Sequence, residues 1–182
     1  MSTLFVDTIN EKTTNNGIFI PGHVLQVQQT VFKDTFSTSV GTSFAEVTGL
    51  RCNITPKSTS SKILVRFSLN LSSQYYQTRG RILRDGSVID DALGNTRGSR
   101  VRVSFNYVKY SGGGSSSVYD MAGVPVEYLD SPSTTSAVQY SLDLGGFSTS
   151  YAVHINRSHA NNDAATYDGA PVSTLTLMEI GG

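Results

Sequence analysis

The chain has a single cysteine, five prolines, no tryptophan and no long apolar run. One cysteine excludes an intrachain disulfide, and Cys52 lies on the apolar phase of an alternation, so we interpret it as a small buried hydrophobe. No stretch approaches the roughly 18 apolar residues that span a bilayer, so no membrane insertion is expected. The first residues lack the basic start and apolar core of a secretion signal, which predicts synthesis in a cytoplasm.

Charge is also scarce, since only 15% of the residues are charged and 14 basic residues balance 14 acidic ones. A chain without net charge has no global field that would steer it to nucleic acid, and no nucleic-acid partner is expected. Its polarity comes instead from 25 Ser, 19 Thr and 17 Gly. A hydroxyl costs much less to desolvate than a charge, so this composition suits surfaces that pack against copies of themselves.

The clearest pattern is a two-residue alternation of apolar and polar side chains. In residues 62–71 the apolar phase holds Ile63, Val65, Phe67, Leu69 and Leu71. In residues 100–108 it holds Val101, Val103, Phe105 and Tyr107. Successive side chains of a strand point to opposite faces, so the pattern predicts strands with one dry and one wet face.

Turn-rich segments divide the chain into short β-prone runs. Candidate strands are 24–36, 43–55, 62–72, 80–84 with 87–89, 100–109, 117–129, 137–144, 150–156 and 173–180. Asp85-Gly86 indicates a tight hairpin, and only residues 90–95 are compatible with a helical turn. The pattern predicts an all-β, antiparallel jelly-roll β-sandwich over residues 24–182.

Residues 1–23 are too few to hold a core and form a separate segment. Asn16-Gly17 indicates a turn, and Pro21-Gly22 closes the segment. We predict an extended docking arm that attaches the domain to a larger particle. Its apolar anchors would be Val6, Ile9, Ile18, Phe19 and Ile20.

A set of short stretches carries a resemblance to a known family. These are residues 6–13 (VDTINEKT), 17–24 (GIFIPGHV), 44–50 (FAEVTGL), 54–58 (ITPKS), 61–65 (SKILV), 82–86 (ILRDG), 128–132 (YLDSP), 155–158 (INRS) and 173–180 (STLTLMEI). They resemble fibre-like structural proteins of marine and cyanobacterial tailed phages. The strand order is similar to the trimeric jelly roll of the tumour-necrosis-factor and complement globular-head class.

The resemblance implies a bacteriophage virion component, made in the host cytoplasm, that forms a homotrimer and binds phage capsid or tail proteins. It implies neither catalytic residues nor a cofactor. No shaft precedes the domain, which favours a capsid decoration or cement protein, or a short fibre. The alternative is a tail-fibre or head-fibre tip for host attachment, which would bind a host surface glycan like a lectin.

Six of the nine arginines fall within 24 residues, and this cluster is the main candidate for a distal binding site or a subunit contact. Its members are Arg79, Arg81, Arg84, Arg97, Arg100 and Arg102. A guanidinium fork suits carboxylate or phosphate, but the same residues would also be explained by solvated strand faces and pairing with Asp85, Asp90 and Asp91. Tyr110 and Tyr119 flank a glycine-rich loop and belong to the same candidate site.

Two further kinds of site have weaker support. His154, His159, Asp163 and Asp168 are too loosely spaced for a zinc or calcium site, so no metal is expected. No Gly-x-Ser-x-Gly elbow occurs, and the adjacent Asp90 and Asp91 would point to opposite sides of an extended chain. The prediction is therefore a non-enzymatic protein.

Overall fold

The computed structural model describes residue 8, residues 22–108 and residues 118–182. The predicted arm anchors, Val6, Ile9, Ile18, Phe19 and Ile20, lie outside the described residues, and so does Tyr110. The strands are β1 (Val24–Phe32), β2 (Phe36–Thr38), β3 (Ala45–Glu46), β4 (Cys52–Ile54), β5 (Lys62–Ser73), β6 (Gln77–Arg84), β7 (Ser87–Val88), β8 (Phe105–Val108), β9 (Ala122–Asp130), β10 (Val138–Gly145), β11 (Val153–Ile155) and β12 (Ser173–Ile180). A single 3-10 turn, Asp90–Ala92, is the helical structure of the described part.

Two antiparallel sheets pack face to face. In sheet A the long strands follow the order β1, β12, β5, β9, while β11 and β2 continue along the β12 side of β5. In sheet B the order is β4, β10, β6, β8, with β3 beside β10 and β7 beside β6. We number the eight principal strands from 1 to 8 in chain order; they are β1, β4, β5, β6, β8, β9, β10 and β12. In this numbering, sheet A has the order 1-8-3-6 and sheet B has the order 2-7-4-5. This double Greek-key order is a jelly roll, and the predicted fold class is confirmed.

The core lies between the sheets and is built around β5. Its five alternating residues Ile63, Val65, Phe67, Leu69 and Leu71 have no exposed surface. Inward residues of β12, the neighbour of β5, and of β10 in the opposite sheet are equally buried: Leu175, Leu177, Tyr140, Leu142 and Leu144. Cys52 is buried and free, as predicted.

The strand boundaries follow the sequence pattern closely in the long strands. Residues 173–180 form β12 as predicted. At the β6–β7 hairpin, Asp85 and Gly86 both have positive φ, 51° and 75°. Two consecutive positive φ angles define a type I′ turn, whose twist matches that of the flanking strands.

Some predicted strands are interrupted or begin later than expected. The run 24–36 is broken between Phe32, where β1 ends, and Phe36, where β2 begins. The run 43–55 breaks at Val47–Leu50, where both of these side chains turn into the core. The run 100–109 becomes a strand only at Phe105, because residues 101–103 form a loop instead. The Arg102 guanidinium holds this loop through the Gly94 carbonyl at 2.8 Å and the Asp90 carboxylate at 2.7 Å.

A polar triad closes one end of the sandwich. Arg84 lies on the inward phase of β6, and its Nη1 donates to Asp130 Oδ2 at 2.7 Å. The hydroxyl of Tyr140 donates to the same oxygen at 2.6 Å. Burial and the Asp130 charge raise the pKa of Tyr140, so its proton stays in place. The three polar side chains at this end of the sandwich satisfy one another's hydrogen bonds.

A substitution at Gly80 on β6 tests how tightly side chains pack against sheet B. A Cβ placed there would overlap the ring of Phe105 on β8. We therefore expect Gly80→Ala to lower the free energy of unfolding by about 1–3 kcal/mol, since the ring must shift within a packed core. Chemical denaturation measures the change.

The matched control is Gly123→Ala on β9, where a Cβ meets nothing within 4 Å. This variant should be as stable as the parent, or more so, because alanine reduces the entropy of the unfolded chain. Equal stability of the two variants would contradict the packing at Phe105.

Candidate ligand-binding site

The structure separates the arginine cluster into members with different surroundings. Arg81 pairs with Asp143, Arg84 with Asp130, and Arg102 with Asp90. Asp90 was an expected partner, whereas Asp143 and Asp130 come from strands far along the chain. Asp85 instead accepts the backbone N–H of Gln139 at 2.8 Å. Three of the six arginines are thus engaged in ion pairs within the subunit.

Arg79 and Arg100 meet at a cavity of about 550 Å³ on the outer side of sheet B. Gln77 and Arg79 project from β6, and Asn106 lies opposite Arg79 on β8. The remaining lining residues are Thr42, Ser99, Arg100, Val101 and Val103. The lining thus has two guanidinium groups and no carboxylate, which makes it an electropositive site of a size usual for small ligands.

The Arg79 guanidinium is held in place but not satisfied. Its Nη2 donates to the Gly146 carbonyl. Its Nε is buried and has no hydrogen-bond partner among the described residues. Burial lowers the pKa of Arg79 below its ordinary value, since a buried cation loses hydration. An arginine keeps its proton even so, and the site retains an under-compensated positive charge.

Arg100 reaches the cavity from the loop between the 3-10 turn and β8. No ion pair of Arg100 occurs within residues 22–108 and 118–182. The Arg102 contacts to Asp90 and Gly94 close the base of this loop, and the Gly94 N–H donates to the Val103 carbonyl at 3.2 Å. Arg102 therefore positions Arg100 at the cavity mouth.

Four aromatic rings cluster between the β5–β6 and β10–β11 connections. Tyr76 stands edge-on to Tyr75 at 3.9 Å between ring centroids and lies 4.9 Å from Phe147. Tyr75 also contacts Tyr151 at 5.0 Å. Tyr76 and Phe147 are both partly exposed. The rings are not part of the cavity lining, but the backbone links them to it: Gln77 directly follows Tyr76, and Gly146, the Arg79 acceptor, directly precedes Phe147.

Tyr76 occupies an uncommon backbone conformation. Its φ is 55°, a left-handed value that bulky residues rarely adopt. The Ser73 hydroxyl donates to the Tyr76 carbonyl at 3.1 Å, and the Tyr75 and Tyr76 hydroxyls lie 3.1 Å apart. These contacts hold the turn that presents the Tyr76 ring at the surface. Strain of this kind is often found where a side chain must be aimed.

The remaining predicted site residues lie elsewhere. Arg97 is exposed and is not part of the cavity lining. The Tyr119 hydroxyl accepts a hydrogen bond from Asn162, and its ring packs on Tyr167 at 4.7 Å. The ring cluster includes Phe147 and Tyr151, which the sequence did not single out. The signal available was Gly145-Gly146, two glycines at the end of β10 directly before an aromatic residue.

A histidine pair lies between β2, β11 and the following loop. The Ser37 hydroxyl lies 2.8 Å from His154 Nδ1, and His154 Nε2 lies 3.3 Å from His159 Nδ1. Burial, with the charges of Arg157 and His159, lowers the pKa of His154 to about 4. Such an imidazole is a poor base near neutral pH, although a serine is within reach.

Within the described part of the chain, no group of three or more His, Cys, Asp or Glu residues is placed to hold a metal ion. Asp168 is engaged by the Ser158 hydroxyl at 2.8 Å and the Asn162 N–H at 2.9 Å.

In the described part of the chain, no helix has the length and apolarity needed to cross a membrane.

Comparisons with known proteins add no assignment. No protein-family model matches the chain, and no curated protein sequence matches it either.

The buried His154 predicts an acid-sensitive stability. Its folded-state pKa of about 4 lies below the ordinary value near 6.5, so the unfolded chain binds the extra proton as pH falls between these values. We expect the free energy of unfolding to decrease by on the order of 2–3 kcal/mol across this window because of His154. Denaturation at several pH values measures this slope.

His154→Gln should flatten the pH dependence between 4 and 6.5 relative to the parent, whatever its absolute stability. His23→Gln, which changes an exposed histidine, should leave the slope as it is. Parallel curves for the parent and His154→Gln would contradict the assignment.

Proposed function

We propose that the protein is a non-enzymatic bacteriophage virion structural protein. It forms a homotrimer through the outer face of sheet A and attaches to the particle through its N-terminal arm. It serves as a capsid decoration or cement protein or as a short fibre. The observation that supports this proposal best is the composition of the outer face of sheet A, which we call the assembly face.

Strand register arranges the centre of the assembly face in three rows of four residues, and the pair Ile180 and Lys62 lies at its edge. The rows are Val27, Met178, Leu64 and Leu129; Gln29, Thr176, Arg66 and Glu127; and Val31, Thr174, Ser68 and Pro125. The first row is apolar, although Val27 and Leu129 are exposed. The two charges in the second row pair with each other at 2.9 Å. An exposed apolar row beside hydroxyl groups and one internal ion pair is the kind of surface that a protein interface buries.

The outer face of sheet B differs because its charges are fixed within the subunit. Arg51 binds Glu46 through two hydrogen bonds of 2.8 and 2.6 Å, and the Ser141 hydroxyl donates to the same carboxylate. Arg81 pairs with Asp143 and lies 3.8 Å above the Phe44 ring. Burying this face against another copy would require desolvating paired charges, which costs more than burying the assembly face.

The number of subunits rests on the resemblance to trimeric jelly rolls. A closed ring in which each subunit presents one face to the axis buries three copies of the apolar row together.

The arm enters the described structure beside the last residues of the chain. The Gly22 N–H donates to the Gly181 carbonyl at 2.7 Å, and the Gly181 N–H donates to the His23 carbonyl at 2.8 Å. Gly22 and His23, the last two residues of the predicted arm, are thus bound to the end of β12. We propose that the preceding residues of the arm bind capsid or tail proteins by adding strands or apolar plugs, with Val6, Ile9, Ile18, Phe19 and Ile20 as anchors.

A second candidate function is host attachment as a tail-fibre or head-fibre tip. The observation that favours it is the cavity with Arg79 and Arg100 beside the aromatic rings, because planar rings and guanidinium forks both suit a surface glycan. The two functions are compatible, since the cavity and the assembly face lie on opposite sheets.

Lysine at position 27 tests the assembly face. Val27 is 52% exposed in the subunit and lies in the apolar row. A buried ammonium without a partner costs several kcal/mol, so Val27→Lys should convert the trimer to monomers of 19.6 kDa. Analytical ultracentrifugation measures the mass.

Val108→Lys is the control, because Val108 is 51% exposed but lies on β8 of sheet B. It should leave the parent mass, three times that of the chain, unchanged. A monomeric parent, or a trimeric Val27→Lys variant, would overturn the assembly face.

Deletion of residues 1–21 tests the arm. The truncated chain keeps the Gly22 and His23 backbone bonds to Gly181, so it should melt at the parent temperature and remain trimeric. It should be missing from purified virions when it replaces the full chain, as measured by mass spectrometry of the particles. Unfolding of the truncated chain would show that the arm belongs to the domain, and its normal incorporation would exclude the arm as the anchor.

A further inference from the structure

The geometry points to a binding site for a carboxylated saccharide, formed by the Arg79–Arg100 cavity and the exposed rings of Tyr76 and Phe147. The inference deepens the host-attachment function proposed above by naming its ligand class. Binding itself does not depend on the trimer or the arm.

The positive charge of the cavity favours an anionic ligand. Two guanidinium groups line it without any carboxylate. Arg79 already carries a buried Nε without a partner among the described residues, and Arg100 has no ion pair there. A bound carboxylate would supply an acceptor for the Arg100 guanidinium and would offset the partly desolvated charge of Arg79. Because a guanidinium binds a carboxylate through two parallel hydrogen bonds, the site also favours a planar anion.

The walls of the cavity select a hydroxylated ligand. Gln77, Asn106, Thr42 and Ser99 offer neutral donors and acceptors. Such groups can exchange water for sugar hydroxyls at little cost, whereas an apolar carboxylate would leave them unpaired. A volume of about 550 Å³ is large enough for an acidic sugar.

The adjoining rings supply a surface for the next sugar. Tyr76 and Phe147 are 37% and 44% exposed, and their centroids lie 4.9 Å apart. An aromatic face packs against the C–H face of a pyranose, and fixed rings do so at low entropic cost. The carboxylate subsite and the ring surface meet at Gly146, whose carbonyl fixes Arg79 and whose peptide leads into Phe147.

The test is isothermal titration calorimetry with trigalacturonate and its methyl ester, and with sialyllactose as a second acid. We expect saturable binding of at least one acid, and at least tenfold weaker binding of the ester, which keeps the sugar rings but loses the charge. Inorganic phosphate should compete only weakly. If neither acid saturates at millimolar concentration, or if the ester or phosphate binds as well as the acid, the inference is wrong.

Arg100→Gln should weaken binding of the acid at least tenfold, since the residue lies on a loop and its loss leaves the sheets intact. Arg97→Gln makes the same charge change three residues away, outside the lining, and should bind like the parent. Phe147→Leu should weaken binding severalfold, while Tyr167→Leu, in the separate ring pair with Tyr119, should not. Equal losses in a variant and its control would also overturn the site.

These results are separable from those for the assembly face. A Val27→Lys monomer that still binds the acid would uphold both proposals. A trimeric parent without acid binding would leave the structural role standing and remove only the ligand.

Discussion

Both faces of the molecule depend on one constraint, the strict alternation of inward-facing and outward-facing side chains along β5. Every inward residue of this strand from Ile63 to Leu71 is fully buried, and β12, β11 and β9 all pair with it. A shift of one residue would exchange its inward and outward sets, so the core fixes the register of its neighbours. The same register aligns Leu64 with Met178 and Leu129 on the outside. The apolar row of the assembly face is thus a consequence of the packing within the subunit.

Sequence reasoning succeeded where local pattern and tertiary structure agree. The alternation in β5 and β12 and the Asp85-Gly86 turn are local signals, and the structure follows them. The pattern at Val101 and Val103 has the same period, yet these residues form a loop because Arg102 is bound to Asp90 and Gly94. An alternation records which side chains share a side, but a strand also needs a partner strand at that position.

The candidate site was only partly predictable for a related reason. Proximity in sequence suggested that the six arginines act together. Their roles are set by carboxylates that arrive from other strands: Asp130 is 46 residues from Arg84, and Asp143 is 62 residues from Arg81. Once those pairs form, Arg79 and Arg100 are the cluster members that share the cavity. The rings of Phe147 and Tyr151 join them through a turn that no local pattern connects to Arg79.

The division of charge between the sheets is what makes the proposed assembly and the proposed recognition compatible in one small sandwich. Assembly requires removing water from a whole face, which costs least where charges are few. Recognition of an anion requires a charge that the fold has partly desolvated but not paired. Sheet A has the apolar row and the Arg66–Glu127 pair on its outer face, and sheet B has Arg79. Placing both on one face would set the proposed trimer interface against an unpaired guanidinium, so the two faces of the jelly roll keep the requirements apart.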